Sequence, residues 1–266
     1  MTTDREWEKW GVQDPYFSVL THPKFRSDAL NQESLQEFFA LGRLHVDHVL
    51  GTCRAHLEGS FAPQRVLDFG CGVGRVLLPL AAIASEVVGV DISPSMLAEA
   101  RRNCELQGVT NAQLVMSDDT LSAVQGDFDF VHSCIVIQHI EIARGLKLFE
   151  ELVKRIRPGG IGAIQVTFAW DIYRASLGVR PPLVPMSPWR TWLASTWGLF
   201  TQRRASCSAP AAAKAAGADP EMQMNFYDLS QLMFIIQQSG CSDVHCQLTD
   251  HGGAIGALMF FRRPLA

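Results

Sequence analysis

Three alternating glycines and two aspartates are of the types, and at the spacing, that can bind a polar ligand. The glycines directly follow an apolar run, in the sequence Asp68-Phe-Gly70-Cys-Gly72-Val-Gly74. Because glycine has no Cβ, a backbone that turns here can approach a ligand closely. Asp91 follows the next apolar run, and its carboxylate can accept hydrogen bonds from two ribose hydroxyls. The pattern predicts a site for a nucleoside-type cofactor.

The glycine spacing distinguishes between cofactor classes. A dinucleotide fingerprint places its third glycine three positions after the second, which seats a pyrophosphate on the helix N-terminus. Here Gly74 comes only two positions after Gly72. This spacing favours a ligand without phosphates and argues against a nicotinamide dehydrogenase, which we keep as a weaker alternative.

The motif resembles the glycine-rich turn of the class I S-adenosylmethionine (SAM) dependent methyltransferases of the small-molecule type. The Pro158-Gly-Gly160 turn and the Gln138-His139 pair match later positions of that family. The resemblance implies a Rossmann-like fold with SAM as the cofactor. It also implies these cofactor contacts: Asp68, Gly70, Cys71, Gly72 and Gly74 around the turn; Asp91 and Ile92 at the ribose and adenine; Asp118 or Asp119 at the adenine amino group; and Ser133, Cys134 and Gln138 after the fourth strand.

Methyl transfer needs in-line alignment of nucleophile, methyl group and sulfur, together with exclusion of water. A hydroxyl acceptor would in addition gain from a general base, for which histidine is suited. His139 is the first candidate because it follows the fourth strand, and the carboxyl ends of parallel strands face the site. The alternative is that His139 only braces the next helix. His251, beside Asp250 in a predicted turn, is the second candidate base.

Apolar runs alternate with helical patterns, which predicts an α/β fold with a mostly parallel sheet. The resemblance extends this to seven strands flanked by helices. Strands are predicted at 65–69, 87–91, 112–116, 128–134, 161–168, 244–248 and 255–262, and helices at 31–57, 74–84, 94–107, 143–156 and 228–239. Ser93 is the predicted N-cap of the helix that begins with Pro94.

Two segments lie outside the predicted core. We divide the chain into an N-terminal helical cap (1–62), a SAM-binding core (63–168), a substrate-recognition insertion or lid (169–225) and a C-terminal part of the sheet (226–266). Trp170, Trp189 and Tyr227 are the candidate acceptor contacts. An aromatic stripe around Trp189 has three interpretations: packing on the core, an apolar pocket lid, or a membrane-surface helix.

The composition limits the kinds of partner that we expect the chain to bind. The 266 residues are 47% hydrophobic and 19% charged with a net charge of −4, and no long lysine or arginine cluster is present. Binding to a nucleic-acid backbone needs several cations on one surface, so we expect no nucleic-acid partner. We find no pattern for a metal site, a signal peptide or a membrane span, and expect a cytoplasmic protein. A homo-oligomer is left open.

Two functions of different classes follow. The favoured one is a methyltransferase that moves a methyl group from SAM to O or N of a small, partly apolar, natural-product or sugar-like metabolite. The alternative is a SAM-binding protein without methyl transfer, with a regulatory or repurposed role.

Overall fold

The strands and helices were assigned in a computed structural model, which describes residues 2–170 and 219–265 of the chain. The strands are β1 (Arg65–Phe69), β2 (Glu86–Asp91), β3 (Ala112–Met116), β4 (Phe128–Ser133), β5 (Ile156–Trp170), β6 (Asp243–His251) and β7 (Ala254–Arg262). The helices are α1 (Thr2–Gln13), α2 (Pro15–Val19), α3 (Gln32–His56), α4 (Leu77–Ala81), α5 (Pro94–Leu106), α6 (Ile142–Lys154) and α7 (Leu229–Gln238). One-turn 3₁₀ helices cover Pro23–Phe25 and Ile137–His139.

The seven strands form one sheet in the order β3-β2-β1-β4-β5-β7-β6. Strands β1 to β5 pair in parallel, and β7 pairs antiparallel with both β5 and β6. The chain leaves β1 toward β2 and later returns to β4 on the other side. A crevice opens at the carboxyl ends of strands at such a reversal, which is where α/β folds bind ligands.

Two apolar layers cover the two faces of the sheet. Val66 and Phe130 lie in the cluster that α1 to α5 join, whereas Leu67 and Val131 lie in the cluster of α6 and α7. Adjacent residues of one strand therefore enter opposite layers, as the two-residue repeat of a strand requires. The predicted Rossmann-like α/β fold with a mostly parallel sheet is confirmed.

Most predicted elements have the expected bounds, and β1 and β3 match at both ends. Ser93 caps α5 by accepting a hydrogen bond from the Met96 amide, and Pro94 is the first helical residue. The helix predicted over 74–84 is shorter, because α4 spans only Leu77–Ala81. A proline lacks an N–H and is tolerated only in the first turn of a helix. A later start therefore places Pro79 in that first turn.

The turn predicted at 157–160 lies within β5 as an irregularity rather than before it. Phe128 of β4 pairs with Ile156, but Phe130 pairs with Ile161, so the intervening residues bulge out of the ladder. Gly159 has a positive φ of 79° there. A proline and a left-handed glycine are the residues that such a bulge accommodates.

The N-terminal residues predicted to form a cap are helical in α1, α2 and α3. Most of the predicted insertion, including Trp189 and its aromatic stripe, lies outside the described residues. The domain boundaries therefore stay a prediction. No described helix is long and apolar enough to cross a membrane.

Candidate active site

The glycine turn joins β1 to the segment before α4. Gly70, Gly72 and Gly74 all have positive φ angles, of 74°, 52° and 90°. The amides of Gly70 and Cys71 donate to the Val90 carbonyl, at 2.7 and 3.0 Å, which ties the turn to β2. A Cβ on Gly70 would lie only 2.2 Å from the Val136 side chain. Glycine is required here both by conformation and by space.

Asp91 links the end of β2 to this turn. Its Oδ2 accepts a hydrogen bond from the Gly72 amide at 2.8 Å, and its Oδ1 accepts one from the Ser93 amide at 2.9 Å. Burial raises the pKa of this carboxyl, while these amide hydrogen bonds oppose the increase. An ionised carboxylate has about four acceptor positions, so capacity remains for ligand hydroxyls.

Asp68, at the other side of the turn, belongs to a buried chain of polar groups. Nδ1 of His132 donates to Oδ1 of Asp68 at 2.8 Å. Nε2 of His132 lies 2.9 Å from Nε2 of His45 on α3, so one ring donates to the other. Burial, together with the nearby His132 and Arg75, lowers the pKa of His45 to about 2. Oδ2 of Asp68 is buried without any partner.

One cleft collects these groups at the crevice between β1 and β4. Its empty volume, including the open mouth, is about 990 Å³. The predicted site residues that line it are Asp68, Gly70, Cys71, Gly72, Asp91, Ile92, Cys134 and His139.

Helix α1 forms one wall of the cleft through Thr3, Asp4 and Trp7. The indole of Trp7 meets the His139 ring edge-to-face with a centroid distance of 4.9 Å. Glu8 fastens the helix to the start of α5, since it accepts hydrogen bonds from the hydroxyls of Ser93 and Ser95 at 2.6 Å each. Arg144 of α6 forms an ion pair with Asp4. Helix α1 is thus attached to α5 through Glu8 and to α6 through Asp4.

Replacing Glu8 by alanine is expected to destabilise the fold by about 1.5–3 kcal/mol, the usual range for a hydrogen bond to a charged group. Although burial raises its pKa, the hydrogen bonds from Ser93 and Ser95 lower the pKa of Glu8 overall. The stabilisation is therefore complete above the ordinary glutamate pKa of about 4.3 and is lost as pH falls through the lowered folded value. Urea unfolding at pH 7 and pH 3.5 measures this, with the exposed Glu105→Ala on α5 as the control. Equal losses for both variants at pH 7 would contradict the attachment.

His139 is buried, with 7% of its surface exposed, and faces the cleft. Its Nδ1–H donates to the Gln223 carbonyl at 2.8 Å, so Nε2 carries the lone pair. The Gln138 amide nitrogen lies 3.5 Å from Nε2, too far for a strong hydrogen bond. Burial lowers the pKa of His139 to about 4, although the bond to Gln223 opposes this. The ring is therefore neutral and able to accept a proton at physiological pH.

The loop between β4 and His139 adopts a strained conformation. Ile135 has a φ of 60°, which is unusual for a β-branched residue. Its amide donates to Oε1 of Gln165 on β5 at 3.0 Å, and its side chain lines the cleft. Strain of this kind persists where surrounding contacts determine it and is frequent at functional sites.

Other predicted site residues do not line the cleft. Gly74 is the last glycine of the turn, and Ser133 is buried with an unpartnered hydroxyl. Gln138 is buried, and its side-chain oxygen accepts a hydrogen bond from Thr167 at 2.6 Å. Asp118 binds its own turn at Thr120, whereas Asp119 forms an ion pair with Arg144. Their roles as cofactor contacts stay predictions.

The candidate acceptor contacts and the second base are also spread out. Trp170 ends β5 and packs edge-to-face on Phe226. Tyr227 is fully buried, and its hydroxyl donates to the Ile140 carbonyl at 2.8 Å. His251 ends β6, and desolvation lowers its pKa while Asp250 opposes the shift. No group of three metal-ligating side chains occurs within the part of the chain that the structure describes.

Several lining residues are not among the predicted site residues. Trp7, Arg75 and Arg144 lie in different helices or turns, and His132 is one residue before the predicted Ser133. The two-residue repeat of β4 places His132 on the same face as its register partner Asp68. The alternation of side chains along β4, aligned with that along β1, is the sequence signal for the pair of His132 and Asp68.

Comparison with known proteins identifies the central part of the chain. Residues 66–160 match a family model described as a methyltransferase domain. These residues form a methyltransferase domain. It contains the glycine turn, Asp91 and His139, whereas helix α1 lies outside the match.

Two named relatives match parts of the chain. The biotin biosynthesis bifunctional protein BioHC of Cellvibrio japonicus is 31% identical over 157 residues, which cover 56% of this chain and 29% of that protein. The 23S rRNA (uracil(1939)-C(5))-methyltransferase RlmD of Marinomonas posidonica is 44% identical over 70 residues, 25% of this chain and 16% of that protein. The chain thus spans less than a third of either relative.

A solved structure extends the likeness to the whole fold. Magnesium protoporphyrin IX methyltransferase (ChlM) from Synechocystis PCC 6803, crystallised with bound SAM, superposes with a TM-score of 0.57. The superposition covers 99% of this chain and 98% of that chain at 16% identity. The arrangement of elements around the methyltransferase domain is therefore also that of a known fold.

Proposed function

We propose that the chain transfers the methyl group of SAM to O or N of a small, partly apolar metabolite. One observation carries the proposal. A single cleft contains the glycine turn and Asp91 together with the neutral His139 and the indole of Trp7. Groups suited to a nucleoside and groups suited to a nucleophile therefore share one cleft.

The donor half of the cleft, which we define as the glycine turn with Asp68 and Asp91, has residues that fit SAM. When bound, SAM supplies a methyl group on a positively charged sulfur. The sulfur leaves as a neutral thioether when the methyl group is transferred. The turn at Gly70 and Gly72 presents backbone without a side chain to the cleft, and Asp91 retains acceptor capacity for ribose hydroxyls. Asp68 offers a buried oxygen without a partner. Burying a charge alone is costly, so this oxygen favours a cationic or hydrogen-bond-donating ligand.

His139 is proposed to hold the acceptor and to take its proton. The bond from Nδ1 to Gln223 fixes the tautomer, which directs the Nε2 lone pair away from that backbone. A hydroxyl that donates to Nε2 would lose its proton there as the methyl group is transferred. The contact with Trp7 and the attachment of α1 at Glu8 limit access of water to this position.

A small acceptor is supported by the walls of the cleft. Val19, Ile135, Val136 and Ile140 surround His139 and the glycine turn with apolar surface. The net charge of −4 does not favour a nucleic-acid backbone. The names of the relatives point to different roles, biotin biosynthesis for BioHC and 23S rRNA methylation for RlmD, so the acceptor class rests on the chain's own residues.

Calorimetric titration with S-adenosylhomocysteine tests the donor half of the proposal. We expect micromolar binding by the folded protein. An acceptor screen follows, in which SAM is incubated with panels of small hydroxyl and amine compounds, and with total RNA, while S-adenosylhomocysteine formation is measured. Turnover with small compounds supports the proposal. Turnover with RNA alone contradicts the acceptor class, and binding without any turnover favours the alternative SAM-binding protein.

A further inference from the structure

Residues 223–225, which we call the strap, are hydrogen-bonded to Gln138 and His139. The Gln223 carbonyl accepts from Nδ1 of His139 at 2.8 Å. Two residues further on, the Asn225 backbone amide donates to the Gln138 carbonyl at 2.7 Å. The strap therefore contacts both the ring of the proposed base and the backbone of the residue before it.

The side chain of Asn225 completes this attachment. Its Nδ2 donates to the same Gln138 carbonyl at 3.1 Å, and its Oδ1 accepts from Nε2 of Gln223 at 3.2 Å. One amide group thus bonds the backbone beside His139 and the residue whose carbonyl faces the ring. A side chain without both a donor and an acceptor cannot make this pair of bonds.

Helix α1 binds the other end of the Gln223 amide. The Thr3 hydroxyl donates to Oε1 of Gln223, and Thr3 lines the cleft together with His139. The hydrogen bonds form one series that starts at this hydroxyl, passes through the two side-chain amides and ends at the Gln138 carbonyl. Each amide uses its oxygen as an acceptor and its nitrogen as a donor, so their orientations agree with one another. The series connects a wall of the cleft to the segment that carries the proposed base.

The neighbours of the His139 ring distinguish its two nitrogens. A carbonyl oxygen only accepts, so the Gln223 carbonyl requires the ring proton on Nδ1. The Gln138 amide nitrogen lies 3.5 Å from Nε2, and the oxygen of that amide accepts from the Thr167 hydroxyl. Its NH₂ group is thereby turned toward the Nε2 lone pair. Asn225 is bonded to both of these neighbours, and the hydrogen bond made by one ring nitrogen determines the state of the other.

We propose that Asn225 is a positioning residue, which keeps the proton of His139 on Nδ1 and its Nε2 lone pair available to the acceptor. The inference rests on the proposed function, in which Nε2 takes the acceptor's proton. Asn225 does not line the cleft, so it acts through the strap and not by touching the acceptor. A ring that is already in the correct tautomer and orientation needs no rearrangement before it accepts the proton.

The first test observes the ring directly. Side-chain ¹⁵N NMR of the whole chain, labelled at histidine, distinguishes protonated from unprotonated ring nitrogens, and His139→Ala identifies the signals of His139. At pH 7 the wild type should have Nδ1 protonated and Nε2 unprotonated, whereas Asn225→Ala should have a second population protonated on Nε2. Asn225→Asp keeps the acceptor for Gln223 but loses the donor to Gln138, and its change should be at least as large. Thr3→Val, which lacks only the hydroxyl, should have a smaller change in the same direction.

The second test measures steady-state kinetics with the acceptor found by screening. Asn225→Ala should lower kcat by roughly 10- to 100-fold, less than the loss expected when a general base is removed altogether. The KM for SAM should not change, because the donor half of the cleft is intact. Asn31→Ala is the control for lost stability, since it removes the amide that caps α3, and it should retain the wild-type tautomer and kcat.

The outcomes separate this inference from the proposed function. A wild-type tautomer in Asn225→Ala overturns the inference, whatever its kcat, and leaves His139 as the proposed base. Equal losses of kcat in Asn225→Ala and Asn31→Ala also overturn it, because they reflect stability alone. A shifted tautomer with unchanged kcat, or a wild type protonated on Nε2, contradicts the base itself and the inference with it. If Asn225→Ala does not fold, Thr3→Val decides by the same two measurements. A wrong cofactor is recognised separately, because the wild type would then not bind S-adenosylhomocysteine.

Discussion

Asp91→Ala is expected to lower the affinity for S-adenosylhomocysteine by roughly 100- to 1,000-fold. A hydrogen bond to a charged group contributes about 1.5–3 kcal/mol, and two ribose hydroxyls can share this carboxylate. The same substitution removes the acceptor of the Gly72 amide, which holds the glycine turn in place. Both losses act on the donor half of the cleft. Calorimetric titration measures the affinity.

Two controls separate ribose binding from support of the turn. Asp127→Ala removes an exposed aspartate outside the cleft and should leave affinity unchanged. The 2′-deoxy analogue of S-adenosylhomocysteine lacks one of the two hydroxyls. The wild type should discriminate against this analogue, and Asp91→Ala should not. An Asp91→Ala protein that still discriminates would show that Asp91 serves the turn alone.

Local patterns were sufficient for the elements that carry the donor site. The strands that contain Asp68 and Asp91 are short and apolar, and both match their predicted bounds to within one residue. The cap at Ser93 followed from one polar residue before a proline. These features depend on interactions within a few residues, which a sequence pattern records.

Long-range contacts explain what the sequence did not predict. The buried chain from Asp68 through His132 to His45 joins β1, β4 and α3, and His45 and His132 are 87 residues apart. Arg75 directly follows the glycine motif, but only the packing of Gly42 on its backbone reveals that it is enclosed. A pattern shows that a residue is charged, not that the fold encloses it.

The same limit applies to residues whose roles stay predictions. Tyr227 is polar and aromatic, as expected of an acceptor contact, yet its hydroxyl is bonded to the Ile140 carbonyl in the core. Asp118 follows β3 at the expected position, but its carboxylate closes a local turn with Thr120 and Ser122. Aspartate at a strand end can either face a ligand or cap a turn, and both uses have the same sequence signature.

His139→Ala is expected to lower kcat by about 10²–10⁴-fold with a hydroxyl acceptor, the usual contribution of a general base. Binding of S-adenosylhomocysteine should change little, because the ring, which packs against Trp7, is proposed to contact the acceptor rather than the cofactor. The histidine is neutral above its lowered pKa of about 4. Activity of the wild type should therefore persist as pH falls from 8 to 5 and decline only toward pH 4. Steady-state kinetics across this range, with the acceptor found by screening, provide the measurement.

Comparing His139→Ala with His139→Gln distinguishes a general base from a residue with a structural role alone. Glutamine can accept a hydrogen bond from the acceptor but cannot take its proton, so both variants should be slow if Nε2 is the base. If His139 only holds the segment at Gln223, glutamine should restore kcat, and the loss in alanine should be accompanied by lower stability. His56→Ala, at the exposed end of α3, is the matched control. An acid limb near pH 6.5 would mean that the catalytic group is not this buried ring.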